Sequence, residues 1–423
     1  MNHTDTLQHR RARLLGPNVP VFYDRPVHLV RGSGTRVWDS DGREYLDCYN
    51  NVPHVGHCHP RVVRAICEQA GQLNTHTRYL HDLLLDYIEA LTATMDESLS
   101  QVIMTCTGSE ANDVAIRMAQ AVTGKTGIVV TDATYHGNTM AVSQLGSSNP
   151  PLGGRWPNIR RVPAPDSYRG CDAGEFAKAV REQISDLERS GFGLSALLIC
   201  PYFANEGFPD LPPGWLSETI STVRNSGGVV IADEVQSGFG RTGSDMWAHM
   251  RAGFVPDILT LGKPMGNGHP VGAVVTGTDA MAAFRRGFRY FNTFGGNPVS
   301  CAAALETLRV LQEENLMKNA DRVGTYARDG LRALAERHQA IGDVRGAGLF
   351  FGAELVTDRN TKSPDTDLTK RVANEMRNRG VLINFIGRHK NILKIRPPMP
   401  FSRSDADQLL STLDEVLIDL SGP

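Results

Sequence analysis

Two residues near the middle of the chain have the type and setting for covalent chemistry. Lys263 stands between Gly262 and Pro264, just after the apolar run Ile258-Leu259-Thr260-Leu261. Asp233 closes an earlier apolar run, Val229-Val230-Ile231-Ala232. A lysine amine can attack a carbonyl carbon to form a Schiff base, and a carboxylate can keep a ring nitrogen protonated. Short apolar runs bounded by turn residues read as buried parallel strands. The acid and the amine therefore end two strands, amid glycines that let a ligand approach the backbone, which is the setting of a cofactor cleft.

Two further stretches fit that cleft. Thr107-Gly108-Ser109 follows the strand-like Gln101-Val102-Ile103-Met104 and opens a helix predicted over Ala111–Val122. A helix start of this kind offers unpaired N–H groups, hydroxyls and the positive end of the helix dipole, which together cradle a phosphate; Thr/Ser caps also occur without any ligand. Tyr135 lies in Thr134-Tyr135-His136-Gly137-Asn138-Thr139, at the exit of the run beginning Gly127-Ile128-Val129-Val130, either as a stacking aromatic or as a core residue. The histidines of Asn50–Pro60 with Cys58 are spaced too closely for ordinary zinc ligands and read as a structural turn, with no metal site.

The elements that position these residues follow from periodicity. Residues 1 to about 16 read as a polar arm carrying Arg10, Arg11 and Arg13, and Val27–Val30, Thr35–Trp38 and Glu44–Asp47 as a small antiparallel meander. Helices are predicted over Arg61–Leu73 and from His81 to about Met95. Residues 147–173 read as a long surface loop, followed by a helix over Glu175–Leu187, a strand over Ala196–Cys200 and a helix over Trp215–Asn225. The alternation from about 100 to 275 gives an α/β unit with a mainly parallel sheet and its ligand at the carboxyl ends of the strands. After Pro298 come helices over Cys301–Gln312 and through Leu334, strands over Gly346–Leu355, Val381–Ile386 and Asn391–Arg396, and a last helix over Ser404–Leu420. The expected division is an N-terminal arm and meander (1–55) joined to a smaller C-terminal α+β domain (306–423), with a large α/β domain (56–305) between.

With 423 residues, 41% of them hydrophobic, the chain can bury a sizeable core, and a net charge of −2 gives no electrostatic reason for a nucleic-acid or membrane partner. Seven scattered cysteines favour a reducing compartment. The absence of an apolar leader or spanning segment points to a cytoplasmic protein. A dehydrogenase is excluded because no G-x-G-x-x-G opens the first α/β unit, and a cofactor-sensing regulator is disfavoured by the lack of a helix-turn-helix pattern or basic cluster.

Pyridoxal 5'-phosphate would use all these parts at once: Lys263 for its aldehyde, Asp233 for its pyridine nitrogen, the Gly108-Ser109 turn for its phosphate and Tyr135 for its ring. The motifs GSEAND, TYHGNT, IADEVQSGFGRTG, LGKPMGNGHP and NTFGGNPVSCA resemble those of the class III aminotransferases over nearly the whole chain. The resemblance implies the fold-type I architecture, a large domain with a mainly parallel mixed sheet plus a smaller α+β domain. It makes Lys263 the Schiff-base lysine and Asp233 the pyridinium partner. Val235 and Gln236 would lie under the ring and at its hydroxyl, Tyr135 would stack above it, His136 would also bind the cofactor, and Thr107, Gly108 and Ser109 would form the phosphate-binding turn. Thr293 would reach the phosphate from the other subunit of a homodimer or a dimer of dimers.

Within the family, DCYNNVPHVGHCHP, NTHTRYLHD, APDSYRG and GKPMGNGHPVGAVV look like the branch of ethanolamine-phosphate and phosphohydroxylysine phospho-lyases. In that branch Arg78 is a candidate clamp for an anionic group, or else an interface ion pair. Two departures matter. Arg396 in KIRPPM resembles the arginine by which aminotransferases bind a carboxylate, where the phospho-lyases often carry lysine. Asn205 stands where aminotransferases have a gating glutamate, with Glu206 beside it as a substitute after a register shift. On Arg396 and TYHGNT the sequence favours a transaminase moving an amino group from an amine or amino acid to a 2-oxo acid. The alternative is a phospho-lyase acting on an O-phosphorylated amino alcohol.

Overall fold

The computed structural model describes residues 3–147 and 152–421. At its centre is a seven-stranded sheet, in spatial order Gln101–Thr105, Gly272–Thr276, Ile258–Leu261, Val229–Asp233, Leu194–Ile199, Gly127–Thr131 and Ile159–Val162. Gly272–Thr276 runs antiparallel to both of its neighbours, and every other pairing is parallel. The five inner strands are almost continuously apolar and buried because helices cover both faces of the sheet. One layer packs through Ala111, Val114, Ala115 and Met118 of the helix Gly108–Thr123, the other through Phe176, Val180, Ile184 and Leu187 of the helix Ala173–Arg189. Asp233 pairs in register with Thr260, so the carboxylate and Lys263 lie at the same edge of adjacent strands.

Two smaller sheets flank the large one. The meander Leu29–Ser33, Arg36–Asp39, Glu44–Asp47 gains a fourth, parallel strand from Val381–Leu382, which ties the start of the chain to its C-terminal part. The other sheet orders Ile341–Ala347, Phe350–Asp358, Ile392–Ile395 and Asn384–Ile386 antiparallel, with Ser363–Pro364 at the side of Phe350–Asp358. Helices Leu316–Arg337, Thr366–Asn378 and Arg403–Ser421 cover it. No helix among the described residues is long and apolar enough to cross a membrane.

Several sequence expectations are corrected. The stretch read as a surface loop over 147–173 contains the edge strand Ile159–Val162; its Arg160 and Arg161 broke the apolar pattern. The strand read over Gly346–Leu355 is a hairpin that turns at Gly348-Leu349, and Val381–Ile386 divides between two sheets. Gly272–Thr276 and the helices Thr278–Gly287 and Thr366–Asn378 had not been read as elements. The histidines before Pro60 serve structure. His57 bonds Asp47 at 2.6 Å, His59 bonds Glu314 at 3.1 Å, and His54 lies between the Phe239 carbonyl and Arg241.

Candidate active site

Lys263, Asp233, Thr107, Gly108, Ser109, Tyr135, His136, Val235 and Gln236 line one cavity of about 280 Å³ at the carboxyl edge of the sheet. Each is delivered by a strand end or by the helix that follows it. Thr107 caps the helix Gly108–Thr123 by accepting from the Glu110 amide at 3.1 Å, and the Glu110 carboxylate accepts from the Cys106 amide at 2.8 Å. This reciprocal cap stabilises the helix start by about 1 kcal/mol and fixes the turn. A Cβ on Gly108 would stand 2.7 Å from both Val235 methyls, and one on Gly137 would stand 2.5 Å from Ser109 Oγ. Both glycines are required by close approach, and Gly137 also by its φ of +138°.

The Asp233 carboxylate is held on every side. Its Oδ2 accepts from Asn112 Nδ2 at 3.0 Å and bonds His136 Nδ1 at 2.7 Å, while Oδ1 accepts from the Val235 amide at 3.0 Å. His136 Nε2 in turn bonds Thr134 Oγ1 at 2.8 Å, and Asn112 accepts from Thr260 Oγ1 at 2.7 Å. Sequence reasoning missed Asn112, although an amide beside Ala115, Ile116 and Ala119 at helical spacing was a signal. Lys263 has its amine pushed down to about 8, first by burial and then by the like charge of Arg396, with Asp233 opposing the fall.

Two basic side chains lie behind Gln236, next to the cavity rather than among its lining residues. Arg396 donates from Nη1 to Gln236 Oε1 at 2.7 Å and from Nε to the Tyr49 carbonyl at 2.8 Å, its guanidinium 4.5 Å from the centre of the Tyr49 ring. Lys394 donates to the same Gln236 oxygen at 3.1 Å and to Asn205 Oδ1 at 3.3 Å. No carboxylate pairs with either cation among the described residues. Burial, then Arg396 and Lys263, push the Lys394 amine well below its ordinary range, and burial lowers Arg396 as well. Thus Asn205, at the gate position, meets Lys394, a residue the sequence comparison had not considered. Lys394 went unnoticed in the apolar run Ile392-Leu393-Lys394-Ile395. The period of two that places it and Arg396 on one face of their strand was its signal.

Glu206 bonds neither of the two basic groups: its Oε1 accepts from Thr131 Oγ1 at 2.6 Å and its Oε2 from the Asn205 amide at 3.1 Å. Burial raises its carboxyl, and its charge still reaches Lys394. Arg78 is not brought to the cavity within one chain: its guanidinium lies 3.9 Å over the Phe291 ring. Thr293 is exposed on the same face, outside the cavity. Cys106, Cys200, His269 and Val52 line the cavity without having been singled out. His269 is fixed by Ser300 Oγ at 3.0 Å.

An amine depressed toward neutrality, a fully bonded carboxylate and a helix start too tight for side chains face one space, as a phosphorylated aldehyde cofactor requires. The class III aminotransferase family matches residues 20–417. The chain belongs to that family. Members of the family use pyridoxal phosphate and have the fold-type I architecture seen here. The chain is 41% identical to a Drosophila melanogaster protein named alanine–glyoxylate aminotransferase 2-like, over 99% of this chain and 87% of that one. It is 37% identical to the Caenorhabditis elegans ethanolamine-phosphate phospho-lyase homolog 1, over 96% and 92%. An Arthrobacter phospholyase solved in complex with phosphoethanolamine superposes with a TM-score of 0.95 at 43% identity, covering 99% of this chain and all of that one. This class III enzyme therefore has both aminotransferases and phospho-lyases among its relatives.

Proposed function

We propose that the protein is a pyridoxal-phosphate-dependent phospho-lyase that releases phosphate from an O-phosphorylated amino alcohol such as ethanolamine phosphate. The observation that carries this reading is the pair Lys394 and Arg396, both bonded to Gln236 and faced by neutral Asn205. Two buried basic groups with no carboxylate bonded to them can both be held charged by a phosphate dianion, whereas a substrate carboxylate needs only one. The Arthrobacter phospholyase complexed with phosphoethanolamine and the nematode phospho-lyase homolog support the same choice.

In this reading Thr107, Gly108 and Ser109 would hold the cofactor phosphate, Asp233 the ring nitrogen, Tyr135 and Val235 the two ring faces, and Lys263 the aldehyde carbon. When bound, the cofactor supplies a sink for the electron pair left by breaking a C–H bond. Lys263 Nζ takes the proton from the carbon that bears the amine. The electron pair left by that C–H bond then forms a double bond to the neighbouring carbon as its C–O bond breaks. Phosphate leaves with the C–O pair, and Lys394 and Arg396 stabilise the charge that develops there. Water adds to the freed enamine to give aldehyde and ammonia. His136 and Asn112 keep the Asp233 carboxylate aimed at the cavity.

The transaminase favoured by the sequence rests on TYHGNT and on Arg396 as a carboxylate anchor, and the relatives named aminotransferases support it. Holoenzyme incubated with O-phosphoethanolamine should release phosphate, ammonia and acetaldehyde in equal amounts, with little alanine formed from amines and pyruvate. Alanine formation without phosphate release would reverse the choice.

We also infer a homodimer or a dimer of dimers. Thr293 is flanked by Phe291 and Phe294, 44% and 69% exposed, near Tyr79 at 67%, an apolar face suited to a second copy. On that face Thr293 and Arg78 would serve the partner's site.

A further inference from the structure

A second cavity of about 630 Å³ opens beside the first. Tyr135 lines both. Asn205 stands between them, lining the second cavity while its side-chain oxygen meets Gln236 and Lys394 at the first. Its amide nitrogen donates to the Tyr135 carbonyl at 3.3 Å, so the two residues form one partition.

The wall of this second cavity carries three cations, Arg161, Arg388 and Lys390, against one carboxylate, Asp132. The cations come from two stretches, the edge strand Ile159–Val162 and the turn between Asn384–Ile386 and Ile392–Ile395, and Asp132 from the exit of Gly127–Thr131. Asp132 is already engaged, pairing with Arg388 and accepting from the Ala164 amide at 2.8 Å. Arg161 is pinned by donation to the carbonyls of Leu145 and Gly146, so its charge stays in the wall. Lys390 projects from a turn held by a bond from its own amide to the Gly387 carbonyl. The excess of two positive charges has no counterpart in the wall. A concave surface of one sign concentrates ligands of the other.

We propose that this cavity is an antechamber for phosphate: Arg161, Arg388 and Lys390 hold the phosphate of an incoming substrate, and the inorganic phosphate that departs, next to the Lys263 cavity. The proposal rests on the phospho-lyase reading and extends it, placing two anion sites in sequence with Asn205 and Tyr135 between them. The outer site is open to solvent and therefore screened by salt, while the inner one is buried.

The test uses holoenzyme and two exposed positions. Calorimetric titration with inorganic phosphate at low salt should give an affinity that falls about tenfold in the double variant Arg388→Ser/Lys390→Ser and by a similar factor on raising ionic strength to about 0.3 M. Asp132→Asn, which removes the single negative charge, should tighten phosphate by about threefold. With O-phosphoethanolamine the double variant should raise KM by about tenfold and leave kcat within about twofold, since the inner wall is untouched. Wild-type affinity retained in the double variant, or no phosphate binding to the wild type, overturns the proposal. The titration involves no turnover. If O-phosphoethanolamine releases no phosphate, the lyase reading falls and the antechamber is judged on the titration alone.

Discussion

The two sides of the Lys263 site, one lining the cavity and the other lying behind Gln236, bury polar groups in opposite ways. On one side a single carboxylate, Asp233, takes hydrogen bonds from Asn112, His136 and the Val235 amide, each anchored in turn by the sheet or its helix. On the other side two cations, Lys394 and Arg396, share one amide oxygen of Gln236 and face each other's repulsion. A satisfied buried charge is rigid and indifferent to what else is bound. An unsatisfied one is costly by several kcal/mol until an anion arrives. The first side is thereby suited to fixed chemistry and the second to choosing the substrate.

Substitutions can break this contrast, and their effects should descend in size. Lys263→Ala removes the proton carrier common to both sides and should cost at least about 10⁴-fold in kcat; turnover within tenfold of wild type would move the chemistry to another residue. Asp233→Asn should cost about 10² to 10³ in kcat with little change in KM, measured by phosphate release. Lys394→Met should show the converse pattern, raising KM for a phosphorylated amine by about 10- to 50-fold while kcat falls less. Equal losses in kcat and kcat/KM for Lys394→Met would erase the distinction between the two sides. Asn205→Glu places a carboxylate beside Lys394 and should lower kcat/KM for phosphorylated amines by about tenfold while sparing uncharged amines.

The smallest effect concerns pH. The Lys263 amine is depressed to about 8, so it is largely charged below that pH and neutral above it. Only the neutral amine attacks an aldehyde, so cofactor capture by the apoenzyme should speed up about tenfold per pH unit below 8 and level off above it. Arg396 is the second cause of the depression, after burial. Arg396→Gln should therefore shift the midpoint of that curve upward, as read by stopped-flow absorbance. An unchanged midpoint would mean that the basic side does not reach Lys263.

The sequence revealed the first side far better than the second. Asp233 and Lys263 each follow an apolar strand, and a short-range pattern suffices to place them. The Thr107-Gly108-Ser109 turn is equally local. The second side depends on register across the C-terminal sheet, where Lys394 pairs with Gly352 and shares a face with Arg396. A comparison by motif chose the arginine; geometry brought the lysine to Asn205. Glu206, adjacent in sequence to the gate position, has its carboxylate taken by the Thr131 hydroxyl and the Asn205 backbone amide. The edge strand Ile159–Val162 was hidden for another reason. Its two arginines serve the second cavity and the surface, so its pattern was not that of a core strand.

The loop that carries Lys263 has a distant anchor. Asn267 accepts from the Val55 amide at 2.9 Å and donates to the Gly56 carbonyl at 2.9 Å, across separations of 212 and 211 residues. Both contacts run from the loop after Ile258–Leu261 to the turn after the meander, outside the pairing of the large sheet. The large sheet can assemble while the amine's loop is still loose, and the loop becomes fixed only when the turn after the meander docks. Recovery of the ability to capture cofactor should then lag behind recovery of helical signal during refolding, which makes the cofactor a clock for the last step of assembly.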